Sequence, residues 1–138
     1  MNQRILVVDD DVHVLRSVVR LLHGREYETV GAMNGLAALD VLRTSRFDCV
    51  LSDIDMPRLD GLGLAQRVRM LWPTLPVVLF SGAHDRRTEA RRASLGVHAV
   101  LSKPVSPLVL CDAVGAALAG ARSEEPPFRK GPGLLRGK

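Results

Sequence analysis

The sequence predicts an α/β fold in which a five-stranded parallel sheet carries helices on both faces. Two observations predict it. Short apolar runs rich in β-branched residues, Ile5-Leu6-Val7-Val8 and Pro76-Val77-Val78-Leu79-Phe80 among them, show no polar alternation, as strands buried on both faces require. Between these runs lie segments with apolar residues at helical spacing, and parallel strands need such crossovers. The length agrees, since 138 residues allow one domain with a real core and are too few for two ordinary ones.

The first strand, Ile5 to Val8, stops at Asp9-Asp10-Asp11. Val14, Val18, Leu21 and Leu22 then mark an amphipathic helix, with Arg16, Arg20 and Arg25 largely opposite, Asp11 as its cap and Gly24 as a stop. A weaker second strand runs from Tyr27 to Ala32 and ends at Asn34-Gly35. Leu36, Leu39, Val41 and Leu42 predict a short second helix, and Phe47 to Ser52 the third strand. Next come Asp53, Pro57 and the pair Asp60-Gly61, which force the backbone out of strand geometry. Leu64, Ala65, Val68 and Leu71 mark a third helix that Trp72-Pro73 closes, because proline restricts the residue before it. The fourth strand, from Pro76 to Phe80, closes at Ser81-Gly82. A charged segment, 84–94, reads as a helix with Ala90, Ala93 and Leu95 as its apolar side. The fifth strand, Ala99 to Ser102, ends at Lys103-Pro104. The last helix begins at Ser106 or Pro107 and runs to Ala121, with Leu110, Cys111, Val114 and Leu118 inward. The simplest layout for such a chain is the flavodoxin-like strand order 2-1-3-4-5, whose switch point lies between the first and third strands.

Residues 1–122 are thus expected to form the domain, and 123–138, a mixture of Gly, Pro, Arg and Lys with little apolar surface, a disordered basic tail. The net charge is +4, but Arg129, Lys130, Arg136 and Lys138 of the tail carry much of the excess, which leaves it a weak hint of nucleic acid; with no helix-turn-helix pattern after the domain, direct nucleic-acid binding is not expected. No apolar run approaches the roughly 20 residues of a membrane span, and the amino terminus lacks a signal-like apolar stretch, which predicts a cytoplasmic protein without membrane contact. Cys49 and Cys111 have no metal-type spacing and read as buried free thiols. His13, His23, His84 and His98 are scattered and read as surface or packing residues.

Four strands end in side chains that can do chemistry: Asp9-Asp10, Asp53, Ser81 and Lys103. In the 2-1-3-4-5 order, Asp9 and Asp10 fall beside Asp53. Crowded carboxylates repel, and a bound cation relieves them; an oxygen-only ligand set suits Mg²⁺. Asp53 can then stay ionised as a nucleophile while the metal and the Lys103 ammonium balance an incoming phosphoryl group. Ser81 adds a hydroxyl donor, and Gly82 leaves room for its backbone. Alone, any of these residues reads as a cap, a turn former or a surface residue. Their combination favours phosphoryl transfer onto an aspartate, whereas Asp11 and Asp60 remain structural.

On these residues the sequence resembles the receiver domains of bacterial two-component response regulators, in the single-domain, chemotaxis-regulator-like form. The motifs are Val7-Val8-Asp9-Asp10, Asp53-Ile54-Asp55-Met56-Pro57 with Asp60-Gly61, Ser81-Gly82 and Lys103-Pro104, and the likeness runs from about Arg4 to Ala121. The resemblance implies a phosphoacceptor at Asp53 that takes its phosphoryl group from a sensor histidine kinase or phosphotransfer protein and switches protein-protein contacts. Such a module is not an enzyme, although slow self-dephosphorylation is compatible with it. It further implies Mg²⁺ bound by Asp10, Asp53 and the backbone carbonyl of Asp55, with Asp9 acting through water. Ser81 would be the switch hydroxyl, and Lys103 the partner of the phosphoryl group, helped by a cis bond to Pro104. Receivers often carry an aromatic switch residue three positions before that lysine, and here the position is Val100. Trp72, the single tryptophan, offers itself as an optical probe of metal binding.

Arg86, Arg87, Arg91 and Arg92 form a basic cluster in the charged segment, with Asp85 and Glu89 among them. They read first as a solvated face. In receivers this face is commonly the output or dimer surface, which makes an acidic downstream protein the expected occupant. Two alternatives remain at this stage. One is a receiver-like binding module that is never phosphorylated. The other is a haloacid-dehalogenase-like phosphohydrolase using Asp53-Ile54-Asp55 as paired carboxylates, although that family places the pair after the first strand.

Overall fold

The computed structural model describes residues 2–82, 91–92 and 94–124, with side chains as far as residue 120. Strands β1 (Arg4–Val8), β2 (Glu28–Ala32), β3 (Cys49–Asp53), β4 (Val77–Ser81) and β5 (Ala99–Ser102) form one sheet in the order β2-β1-β3-β4-β5. All four pairings are parallel, so the flavodoxin-like topology holds. The register sets Val8 of β1 against Ser52 of β3, and Asp53 against Phe80 of β4.

Helices α1 (Val12–Gly24), α2 (Gly35–Thr44), α3 (Gly61–Leu71) and α4 (Pro107–Glu124) complete the frame. Each of the first three starts on a side chain that accepts an otherwise unpaired amide: Asp11 for His13 and Val14, Asn34 for Ala37, and Asp60 for Gly63. Ser106 does the same for Val109 ahead of α4. Asp11 and Asp60 are thus the structural aspartates that the sequence suggests. Of the segment 84–94, the three described residues Arg91, Arg92 and Ser94 are helical, as is Leu95 just after it, and the others lie outside the described residues. The last helix continues to Glu124, three residues beyond the expected stop at Ala121, and 125–138 of the expected tail lie outside the described residues.

The sheet separates two apolar layers by residue parity, as a period of two demands. Leu6, Val8, Val50, Val77 and Leu79 face α2 and α3, where Ala38, Leu39, Leu42, Leu64, Ala65 and Val68 are buried. Ile5, Val7, Cys49, Leu51, Val78 and Phe80 face α1 and α4, where Leu15, Leu22, Leu110, Val114 and Leu118 are buried. Each fully buried aliphatic side chain contributes about 1.5–3 kcal/mol.

Three sequence expectations about helix faces are corrected. In α1 the buried pair is Leu15 and Leu22, seven residues apart, while Val14, Val18 and Leu21 are half-buried on the flank beside α4. In α2, Leu36 is exposed and Ala38 takes the buried place. In α3, Leu71 is exposed because the helix ends there, its last turn closed by the Trp72 amide on the Val68 carbonyl at 2.7 Å.

Candidate functional site

Odd-numbered residues of β1, β3 and β5 point to the α1/α4 layer, and one more step along each strand brings Asp9, Asp53 and Lys103 to the same side at the carboxyl ends. Asp9 is wholly buried and Asp53 almost so, whereas Asp10 is exposed. Carboxylate oxygens of the three lie within 4.8 Å of one another. The Lys103 ammonium stands 3.3 Å from Asp9 Oδ2 and 3.3 Å from Asp53 Oδ1, and 5.0 Å from the centroid of the Phe80 ring.

Local backbone contacts hold these side chains in place. The Asp11 amide donates to Asp9 Oδ1 at 2.9 Å. The Lys103 amide donates to the Ser81 carbonyl at 2.7 Å, which ties the end of β5 to that of β4, and the peptide bond to Pro104 is cis, as the family resemblance implies. Gly61 is required sterically: a Cβ there would overlap the Asp53 carbonyl oxygen and crowd Ile54 Cα, while its amide donates to the Ile54 carbonyl at 2.8 Å. Thus α3 begins directly beneath the end of β3. Arg58 accepts a left-handed backbone, φ 70°, within the connecting loop.

The electrostatics follow from burial. Desolvation raises the Asp9 carboxyl above its ordinary 3.8, against the opposing pull of the Asp11 amide and Lys103. Desolvation and then the neighbouring Asp9 charge raise Asp53 as well, with Lys103 again opposing. Burial works against the Lys103 ammonium, but Asp9 and Asp53 outweigh it and its pKa rises. One cation therefore undercompensates a crowded set of oxygen donors. That donor set fits a hard dication, which Asp9, Asp10 and Asp53 could hold.

Ser81 is buried at the end of β4, and its hydroxyl donates to Asp55 Oδ2 at 3.5 Å, across the mouth of the site. The structure therefore brings together Asp9, Asp10, Asp53 and Lys103, with Ser81 and Asp55 linked beside them. Val100, at the expected aromatic switch position, is half-buried and packs on the opposite, α2/α3 layer. Phe80 carried no polar signal in the sequence. Strand parity, which sends Phe80 to the same side as Asp53 and Lys103, was the sign that could have found it.

Trp72 lines a cavity of about 470 Å³ with Gln3, Asp48 and Pro76, which precede their strands, so it lies by the amino ends of the strands while the aspartates lie at the carboxyl ends. Arg92 is corrected as a free docking charge: it is half-buried and donates to the His98 carbonyl at 2.7 Å, while Arg91 is exposed and Arg86 and Arg87 lie outside the described residues. Cys49 and Cys111 are buried free thiols, and burial pushes Cys49 up to about 12, away from thiolate chemistry. Among the described residues, no helix is long and apolar enough to cross a membrane.

A buried aspartate at the switch point of a parallel sheet, flanked by further carboxylates and one lysine, marks the site of this α/β module. Residues 5–115 match the model of the response regulator receiver domain, and the chain belongs to that family. It is 41% identical over 105 residues to the sensor histidine kinase RcsC of Salmonella typhimurium, covering 76% of this chain and 11% of the kinase. It is 36% identical over 104 residues to the response regulator MprA of a Mycobacterium species, covering 75% of this chain and 45% of MprA. The chain thus spans less than half the length of these curated relatives. Among solved structures, a CheY-like receiver domain protein of Methanospirillum hungatei superposes with a TM-score of 0.86 at 27% identity, covering 90% of this chain and 99% of that one. The receiver domain of an HD domain-containing protein of Pseudomonas fluorescens gives 0.85 at 29% identity, covering 90% and 100%.

Proposed function

We propose that this receiver domain is the phosphoacceptor of a two-component phosphorelay, modified on Asp53 in a Mg²⁺-dependent reaction. The observation that carries the reading is the Lys103 ammonium held 3.3 Å from both Asp9 and Asp53 at the sheet's switch point. An Asp53 carboxylate oxygen attacks the phosphorus of a phosphohistidine on a sensor histidine kinase or phosphotransfer protein. A P–O bond forms as the P–N bond breaks, and the imidazole leaves with the electron pair. Lys103 compensates the charge that the phosphoryl oxygens bring, and the Ser81 hydroxyl, released from Asp55, donates to one of them. Asp10, Asp53 and the Asp55 carbonyl would hold the metal, with Asp9 acting through water. When bound, Mg²⁺ supplies charge neutralisation between the carboxylates and the phosphoryl oxygens.

The phosphorylated domain, whose last helix carries it to Glu124, then changes its protein contacts, with the basic stretch that follows as an appended tail and the cytoplasm as its compartment. The exposed Arg91 is the described residue through which an acidic partner could engage the basic segment. Membership of the receiver family leaves the phosphohydrolase alternative without support.

The test is intact mass after incubation with Mg²⁺ and a small phosphodonor. Wild type gains one phosphoryl group, while Asp53→Asn and metal-free wild type gain none. A wild type that stays unmodified while a control receiver is labelled sinks the reading.

A further inference from the structure

Phe80 is 2% exposed and continues the face of β4 that also carries Val78. The register sets it between Asp53 of β3 and Leu101 of β5, so its ring lies between the phosphoacceptor strand and the strand that ends in Lys103. The ammonium is held from two directions: by the Asp9 and Asp53 oxygens at 3.3 Å each, and by the ring, whose centroid is 5.0 Å away.

These attractions differ in what they survive. The same carboxylates form the cluster suited to a dication, and a dication there would compete for their oxygens and repel the ammonium. The attraction of the ring quadrupole for a cation draws on no oxygen, so it outlasts that competition. The ring itself is fixed, being buried among the residues packed against α1 and α4. A mainly apolar groove of about 630 Å³, bordered by Phe80, Lys103, Pro104, Val14 and Val18 with His13 and Ser17 among them, lies beside the ring. An aliphatic residue at position 80 could fill much of the volume but would offer no such attraction.

We propose that Phe80 is a positioning residue whose ring holds the Lys103 ammonium over the phosphoacceptor when metal and phosphoryl group occupy the carboxylates. The proposal rests on the reading of Asp53 given above. It requires the contact to persist in the loaded protein, which NMR of the full chain reads directly. The Lys103 Hε protons are expected upfield from the ring current, and to remain so with saturating Mg²⁺ and beryllofluoride. Return of those shifts to ordinary lysine values on loading overturns the proposal.

A second measurement separates the ring's electrons from its shape. Phenylalanine analogues bearing one, two and three fluorines at position 80 keep the packing and weaken the quadrupole. Beryllofluoride affinity should fall stepwise along the series, by roughly threefold to tenfold at the trifluorinated ring, while Mg²⁺ affinity without beryllofluoride stays within about twofold of wild type. A flat series beside a weakened Phe80→Leu would show that the ring serves packing alone, and overturns the proposal. A wild type that takes up no phosphoryl group sinks the Asp53 reading and this proposal together. Phosphoryl uptake with a flat fluorine series sinks only the role of the ring.

Discussion

Gly61 carries more of the site than its lack of a side chain suggests. With a Cβ, the residue would overlap the Asp53 carbonyl oxygen, which belongs to rigid backbone and cannot swing aside as a side-chain tip could. Gly61→Ala must therefore displace either the first turn of α3 or the end of β3. We expect a loss of about 2–4 kcal/mol in urea denaturation, together with slower phosphorylation because Asp53 moves with its carbonyl. A variant within about 0.5 kcal/mol of wild type would show that the loop absorbs the methyl group. The polar residues of the site were legible in the sequence because each ends a β-branched apolar run in a residue that strands rarely tolerate. Phe80 was not, since an aromatic at the end of a buried strand has the same local signature whether it packs or supports a cation. The place of Trp72 was legible too: a helix that starts at the carboxyl end of one strand and leads to the next parallel strand finishes at the amino ends, away from the aspartates.

Caps fix where the helices begin, and in this fold they also fix the loops that bear the aspartates. Asp60 accepts the Gly63 amide at 2.8 Å and starts α3 at the residue that touches the Asp53 carbonyl. Asp60→Ala is expected to cost about 1 kcal/mol, measured as a lower urea midpoint with an unchanged slope. Asp60→Asn should retain most of the stability because it keeps the accepting oxygen, and equal losses in both variants would refute the cap as the cause. At this scale the sequence determined which elements exist and in what order, since alternating buried strands and amphipathic segments leave few parallel topologies. It was weaker on which helical residues point inward. In α1 the stripe through Leu15 and Leu22 competes with the flanking Val14, Val18 and Leu21, and only the placement of α4 decides that the second set lines a groove. Leu36 and Leu71 read as core by helical spacing, but each lies in an end turn of its helix and is exposed.

The molecule concentrates its uncompensated buried charge at one end of the sheet, and this links folding to both protons and metal. Asp9 and Asp53 have carboxyls raised above 3.8, by burial first, so between that value and their folded pKa the native state holds more protons than the unfolded chain. Stability from these two groups therefore falls as pH rises through that window. Lys103 is raised as well, so its contribution is present below 10.5 and is lost as pH rises through its folded pKa, far from the carboxylate window. Replacing one carboxylate removes part of the cost. In metal-free buffer, Asp9→Asn should match wild type most closely in acid, then gain in relative stability as pH rises from about 3.8, and remain the more stable protein at neutral pH. Mg²⁺ should reverse the order. It would bind the folded wild type and add about 2.7 kcal/mol at a hundred times its dissociation constant, while the variant, having lost one acidic group of the cluster, gains less at the same concentration. The measurement is a set of urea midpoints against pH for both proteins, with and without Mg²⁺. A variant less stable than wild type at neutral pH without metal would mean that the Lys103 contact with Asp9 outweighs the burial of the carboxylate, and would overturn the account of the site as an end held under electrostatic strain until a cation arrives.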